Sequence, residues 1–259
     1  MIELPSIDLQ RTEAALISFI RDMARNTGAE SLILGLSGGV DSSLVAYLTA
    51  RVKLHIPLHL YWLPYRTSNP RSLADSTEVA KRLGLELHTR EITEVVDSAI
   101  SRWQVGDRIR IGNLAARARM MALFDASALH GGVVLGTSNL SERYLGYGTL
   151  HGDLACAFNP IGNLFKTEVR ALSAGVGVPA SIIEKPPTAD LWMAQTDEGE
   201  LGFAYADADR VLYLAKRKGL SRTEIASHGL SVELIDAILN RVAAFSYKSQ
   251  PIAIGPPPI

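Results

Sequence analysis

Leu34-Gly35-Leu36-Ser37-Gly38-Gly39-Val40-Asp41-Ser42-Ser43 is the stretch from which the rest of this chain is read. Ahead of it, residues 31–36 form a short apolar run with the character of a buried strand, and behind it residues 43–51 carry helical spacing. The glycines therefore fall where a strand hands over to a helix N-terminus. Gly38 and Gly39 have no Cβ, so backbone N–H groups can approach phosphate oxygens closely, and the helix dipole adds attraction for an anion. Ser37 and Ser42 offer hydroxyls, while Asp41 is a hard oxygen ligand suited to Mg²⁺ on phosphate. The plainer alternative is a Gly-Ser turn capped by Asp41.

Outward from this turn, apolar runs at residues 57–63, 85–92 and 132–136 alternate with helical stretches at 72–83, 94–101 and 113–130, after a first helix near 8–25. Such a βαβα series predicts an α/β fold, a parallel sheet with helices on both faces, and ligands at the carboxyl ends of its strands. A strand near 157–159 and a helix from 166 to 174 extend the unit. Beyond Pro179 the texture changes to helices at about 207–218, 222–228 and 232–244, then an extended tail ending GPPPI. The expectation is one domain over residues 1–259, with a core of about 27–178 and a helical C-terminal extension and tail from 179.

The 259 residues include 26 basic and 27 acidic side chains, a net charge of -1, so composition makes no electrostatic case for nucleic acid or an anionic membrane. Lys216-Arg217-Lys218 reads as the solvated last turn of a helix. A lone cysteine, Cys156, excludes an internal disulfide and a cysteine zinc cluster. With no basic leader and no apolar segment of membrane-spanning length, the expectation is a soluble cytoplasmic protein. His55 and His59 have i,i+4 spacing, but Pro57 between them argues a strand entry, not a zinc pair. Residues 221–242 resemble a helix-turn-helix without its basic character, and are expected to pack as a helical cap or dimer element. Trp62, Trp103 and Trp192 are expected in the core or a pocket wall, Trp62 beside an adenine site.

GTSNLSE, residues 136–142, follows the last apolar run and so belongs at the same sheet edge as the first turn. Thr137 and Glu142 could contact ATP and complete a Mg²⁺ shell opposite Asp41. Read alone, the string is equally an N-cap with a carboxylate in the first helical turn.

The glycine turn lacks the lysine of a GxxxxGK loop, having Asp41 ahead of Ser42. It resembles instead the pyrophosphate loop of the N-type ATP pyrophosphatases, which cleave ATP between the α and β phosphates. GLSGGVDSS, GNLAARARMM, GTSNLSERYLGYGTLHGD, NPIGNLFKTEVRALS, KPPTADLW and QTDEGELGFAY follow in the order and spacing of the ammonia-dependent NAD synthetases. From about residue 35 to 205 the chain closely resembles that family, in an archaeal or thermophile-like branch. The resemblance implies a Rossmann-like homodimer of the adenine nucleotide alpha hydrolase-like type. It also implies ATP and Mg²⁺ use, adenylation of the nicotinate carboxylate of deamido-NAD, and displacement of AMP by ammonia.

Residue by residue, Gly35, Leu36, Ser37, Gly38, Gly39, Val40, Asp41 and Ser42 match the family's ATP loop, and Asp41 and Glu142 its metal ligands. Thr137, Lys166 and Thr188 match ATP contacts, while Asn113, Arg117, Asp153 and Lys248 match the deamido-NAD side. Asp41, Lys166 and Asp153 then carry the catalysis, Asp153 helping ammonia lose a proton. The chain departs from the usual pattern at Leu150 for lysine, His151 for tyrosine, Leu154 for glycine, Ala157 for aspartate and Tyr247 for histidine. Two rival readings stand beside this one: another N-type ATP pyrophosphatase ligase acting on a related carboxylate, and a nucleotide-binding paralogue without catalysis. At single positions, Lys166 is otherwise an ordinary first-turn residue, Arg117 and Arg119 a solvated face, and Thr188 an N-cap before ADLW.

Overall fold

The computed structural model describes residues 4–53, 55–188, 190, 192, 195–250 and 254–255. Its sheet has four parallel strands, β1 (Ser31–Gly35), β2 (Leu58–Trp62), β3 (Leu87–Thr89) and β4 (Gly132–Val134), in the order β3-β2-β1-β4. Leu32 pairs with Leu58 on one side of β1 and with Val133 on the other. Since β2 and β4 flank β1 on opposite sides, the connections diverge at the carboxyl end of β1, and the crevice left there is where the glycine turn sits. β1 reads Ser-Leu-Ile-Leu-Gly and is buried on both faces, as a central parallel strand requires.

Helices α1 (Leu9–Asn26), α2 (Val40–Ala50) and α3 (Pro70–Leu83) contribute to one core with Leu34, Leu44, Leu48 and Val79. On the opposite face, α4 (Thr93–Trp103) and α5 (Arg108–Leu129) bury Val96, Ala115 and Leu123 against Ile33 and Tyr61. Short α6 (Leu140–Leu145) follows β4, and α7 (Lys166–Val176) returns to pack on α2. Beyond these come α8 (Ala180–Ile183), α9 (Asp197–Leu201), α10 (Tyr205–Leu212), a π-helical turn at Tyr213–Arg217, α11 (Arg222–Ser227), α12 (Val232–Phe245) and a 3₁₀ turn at Ser246–Ser249. These enclose a second core in which Leu145 and Phe165 meet Tyr205, Leu212, Ile225, Ile235 and Ile238. Residues 221–242 are thus a packed helical cap.

Several expectations change. The strand near 157–159 is reduced to one parallel bridge, Leu135 to Phe158, because Pro160 has no N–H with which to continue the ladder. α2 begins at Val40, not residue 43, so Asp41 and Ser42 lie in its first turn. α5 begins at Arg108, where the Asp107 side chain accepts from the Arg110 N–H, so Asn113 and Arg117 are interior positions. Lys216-Arg217-Lys218 is the exposed last turn and C-cap of a helical segment, as expected, with one addition: the Arg217 guanidinium lies 4.4 Å from the Phe165 ring centroid and donates to Glu168 at 2.8 Å. Trp103 is 62% exposed, outside any core. The extended tail at 256–259 lies outside the described residues. Among those described, no helix is long and apolar enough to cross a membrane.

Candidate functional site

At the end of β1 the chain turns through Gly38, whose φ of +74° is a left-handed conformation. A Cβ there would stand 2.5 Å from the Ser72 carbonyl oxygen on α3, so both the angle and the space demand glycine. Gly39 is the N-cap of α2 and has no side chain with which to satisfy the helix's first N–H groups, leaving them able to receive an anion. The Ser42 hydroxyl accepts from the Ser37 N–H at 3.2 Å and donates to the Gly39 carbonyl at 3.1 Å, which holds the loop open as a cradle.

Three charged side chains converge beside this cradle. Lys166, the first residue of α7, is 3% exposed, and its Nζ donates to Asp41 Oδ2 at 2.6 Å and to Glu142 Oε1 at 3.0 Å. Asn139 Nδ2 donates to Asp41 Oδ1 at 2.9 Å, tying α6 to α2. Asn139 is also the N-cap of α6: its Oδ1 accepts the Glu142 N–H at 3.0 Å and its own N–H donates to Glu142 Oε2 at 3.2 Å. The two readings of GTSNLSE are therefore compatible, since one carboxylate oxygen closes the capping box while the other faces the ammonium.

A lysine at a helix N-terminus is disfavoured by the dipole, and burial works against its charge as well. Asp41 and Glu142 outweigh both and hold the Lys166 pKa above the ordinary lysine value. One ammonium does not balance two carboxylates. Burial pushes the Glu142 carboxyl up to about 8, with Lys166 opposing and Asp41 adding to the rise. The direction for the group of three is that of a buried site with an excess of negative charge, which a further cation would relieve.

From this cluster a cavity of about 400 Å³ runs along the sheet edge. Gly35, Leu36, Ser37, Gly39, Val40, Asp41, Ser42, Thr137, Glu142, Lys166 and Thr188 line one part of it, and Asn113, Asp153 and Lys248 another. Trp62 and Trp192 also stand in its wall. Gly38 turns toward α3 and is not part of the lining. Arg117 is not either; it is exposed, with Nε donating to the Leu150 carbonyl at 3.2 Å.

Asp153 opens on the cavity yet is closely surrounded by protein, and this enclosure raises its carboxyl, although Oδ1 accepts the Thr149 N–H at 2.9 Å. Lys248 donates to the Gly146 and Gly148 carbonyls at 2.9 and 2.8 Å; burial lowers its pKa while Asp153 opposes. Asn113 Oδ1 accepts from the Thr149 hydroxyl at 2.8 Å. The Thr188 hydroxyl accepts the Asp190 N–H at 3.1 Å, but no helix begins there among the described residues; the next is α9. Asp190 instead bonds the Asn69 N–H at the start of α3, a tertiary tie that local capping logic does not reveal.

A solvated face is only the plain alternative for Arg119 in sequence, and the structure removes it: Nε donates to the Leu63 carbonyl at 3.0 Å and the side chain lines the cavity. The signal was present: Arg119 shares helical spacing with inward-facing Ala116 and Leu123. Lys185 was missed; it lines the cavity and pairs with Asp75 at 2.9 Å behind the glycine turn. No group of three His, Cys, Asp or Glu residues able to hold a metal occurs among the described residues, and His59 stacks on His130 at 3.9 Å.

Residues 13–252 match the profile of a family described as NAD synthase. The NH(3)-dependent NAD(+) synthetase of Trichlorobacter lovleyi is 44% identical over 243 residues, covering 94% of this chain and 89% of that protein. The enzyme of that name from Fusobacterium nucleatum is 40% identical, with 93% and 94% covered. Among solved structures, the NH3-dependent NAD synthetase of Campylobacter jejuni aligns with a TM-score of 0.82 at 34% identity, over 96% of this chain and all of the other. The NMN synthetase of Francisella tularensis aligns with a TM-score of 0.86 at 28% identity, over 97% and 99%.

Proposed function

The chain belongs to the NAD synthase family, and from that premise we propose how its residues divide the work. The reaction is the ATP-dependent amidation of deamido-NAD by ammonia, through an adenylated nicotinate carboxylate, with AMP and pyrophosphate as the other products. The observation that carries the residue assignment is the contact of one buried ammonium, Lys166, with carboxylates from two helices beside a glycine anion cradle.

Asp41 and Glu142 fit Mg²⁺. They are hard oxygen donors already gathered around one positive charge, and magnesium takes one or two carboxylates with phosphate and water for the rest. Bound there, the metal would neutralise charge on the phosphates. The uncapped N–H groups at Gly39 bind phosphate oxygens. Lys166 lies where charge develops as the α–β bond breaks, and positioned charge of this kind is the main means by which phosphoryl-type transfer is accelerated. Thr137 and Thr188 offer hydroxyls to the nucleotide, and Trp62 an apolar wall for its base. Asn113, Asp153 and Lys248 hold the nicotinate end.

In the second step the ammonia nitrogen forms a bond to the activated carbonyl carbon, and the carbon–oxygen bond to AMP breaks, its electron pair leaving with the phosphate. Asp153, whose enclosure raises its carboxyl above the ordinary aspartate value and so makes the carboxylate a stronger base, takes the proton that the new amide sheds. The site is completed by a second copy of the chain: α5 leaves Met121 (55% exposed), Phe124 and Leu129 uncovered, with Arg117 on the same face. Apolar residues so aligned support a homodimer, in which Arg117 reaches the neighbouring copy's substrate.

Pyrophosphate release with deamido-NAD, measured with and without ammonia and with products identified by mass, tests the function. NAD formed only when ammonia is present is the expected result. ATP binding without pyrophosphate release would mark a non-catalytic paralogue, and preference for nicotinate mononucleotide or another carboxylate would overturn the choice of acceptor.

A further inference from the structure

Asp209 lies on α10, in the helical region remote from the glycine turn, and is wholly buried. Its carboxylate reaches both short helices that carry the charged cluster. Oδ1 accepts from the Ser141 hydroxyl, and Oδ2 accepts from the Thr167 N–H at 2.9 Å and the Thr167 hydroxyl at 2.8 Å. The Ser141 oxygen in turn accepts the Lys166 N–H at 2.9 Å. Ser141 precedes Glu142 in the first turn of α6, and Thr167 follows Lys166 in the first turn of α7. One carboxylate thus fastens together the N-termini that present Glu142 and Lys166.

The geometry points to Asp209 as a positioning residue for the adenylation step, acting through Lys166 and Glu142 by holding α6 and α7 in the register that lets both meet Asp41. This inference rests on the reading of those three side chains given above. A carboxylate is costly to bury, and an apolar residue at this position would pack within the second core without that cost. An apolar residue could not, however, accept hydrogen bonds from two helix N-termini at once. The negative end also favours the start of α7, where Lys166 is otherwise disfavoured. Glu168 and Arg217 secure the same turn from another side: Glu168 accepts the Phe165 N–H at 2.7 Å and pairs with Arg217 at 2.8 Å. Loss of Asp209 therefore loosens the register of α7 without removing its cap.

The test uses Asp209→Asn and Ser141→Ala in the full chain, each alone and combined with Lys166→Met. Turnover for pyrophosphate release, KM for deamido-NAD, melting temperature and calorimetric affinity for α,β-methylene-ATP are measured for each. Asp209→Asn is expected to lower turnover on the order of 10- to 100-fold, the usual scale for groups that orient others in a site, with KM for deamido-NAD unchanged. In the Lys166→Met background the same change should alter turnover by a clearly smaller factor, because one of the two groups being oriented is gone and only Glu142 remains to be misplaced.

An equal factor in both backgrounds, or a lower melting temperature with turnover intact, would overturn the proposal. Should Asp209→Asn not fold, Ser141→Ala decides alone: reduced turnover and weaker analogue binding at an unchanged melting temperature support it, and wild-type values of both overturn it. Wild-type turnover in Lys166→Met would instead refute the assignment of Lys166 and leave that failure distinguishable.

Discussion

Glu142→Gln separates what the charged cluster costs the fold from what it contributes to the reaction. Glutamine keeps the shape, but its amide has one acceptor where the carboxylate has two. With the amide oxygen toward Lys166 Nζ, the NH2 group faces the Asn139 N–H, a donor against a donor. Losing that half of the capping box costs about 0.5–2 kcal/mol. Against this, the substitution removes an ionisable group whose carboxyl is pushed up to about 8 in the fold, a relief of roughly 3 kcal/mol at pH 7, where the unfolded chain's glutamate is ionised. The relief equals or exceeds the lost cap, so the unligated melting temperature should fall little if at all, by less than about 2–4 °C.

Turnover should fall much further, on the order of 10²–10³-fold or about 2.7–4 kcal/mol, the scale of losing one positioned electrostatic group. Thermal melts with and without MgATP, beside a pyrophosphate-release assay, measure both. The wild type should gain about 2.7 kcal/mol at a ligand concentration near 100 Kd, and the variant far less. Equal losses of turnover and unligated stability would show Glu142 to be a structural cap and refute the reasoning.

Gly38→Ala should lose at least about 1–2 kcal/mol from the left-handed backbone alone, and the Ser72 carbonyl 2.5 Å from the new Cβ should abolish ATP affinity as well. Gly84→Ala, left-handed but in open space, is the control that loses stability and keeps ATP binding. His59 has its pKa lowered by burial and by His130 and His88, so the unfolded chain binds a proton there more readily. Its contribution is full above about pH 6.5 and is lost as pH falls below that value; denaturant melts across this range should flatten for His59→Gln. Met121→Asp with Phe124→Asp should give a monomer by sedimentation and weaken deamido-NAD binding more than ATP binding, and a stable dimer would contradict the pairing through α5.

The sheet, the glycine turn and the sense of the helices were legible because each rests on local rules: an apolar run for β1, helical spacing for α2, and a φ that glycine tolerates. Asp41, Glu142 and Lys166 were legible as residue types, but not the contact that sets the ammonium between the two carboxylates. Lys166 is legible through its motif as a nucleotide contact, but its ion pairs are not, since those partners are 125 and 24 residues away. Arg119 shows a different difficulty: its charge left a solvated face open as an alternative, although its period on the helix pointed to the cavity. Asp209 and Lys185 were invisible for the reason those ion pairs were, their partners being brought to them only by packing of the C-terminal helices and of the segment before α9. Trp103 erred the other way, because an apolar side chain is no guarantee of burial.

The most direct measurement is a crystal structure grown with α,β-methylene-ATP and Mn²⁺, with anomalous scattering used to locate the metal. The account predicts one peak touching both Asp41 and Glu142 at roughly 2.1 Å and a nucleotide phosphate on the far side, with Lys166 turned to the α-phosphate. A triphosphate bound in the glycine cradle with those carboxylates apart and no metal between them would contradict it.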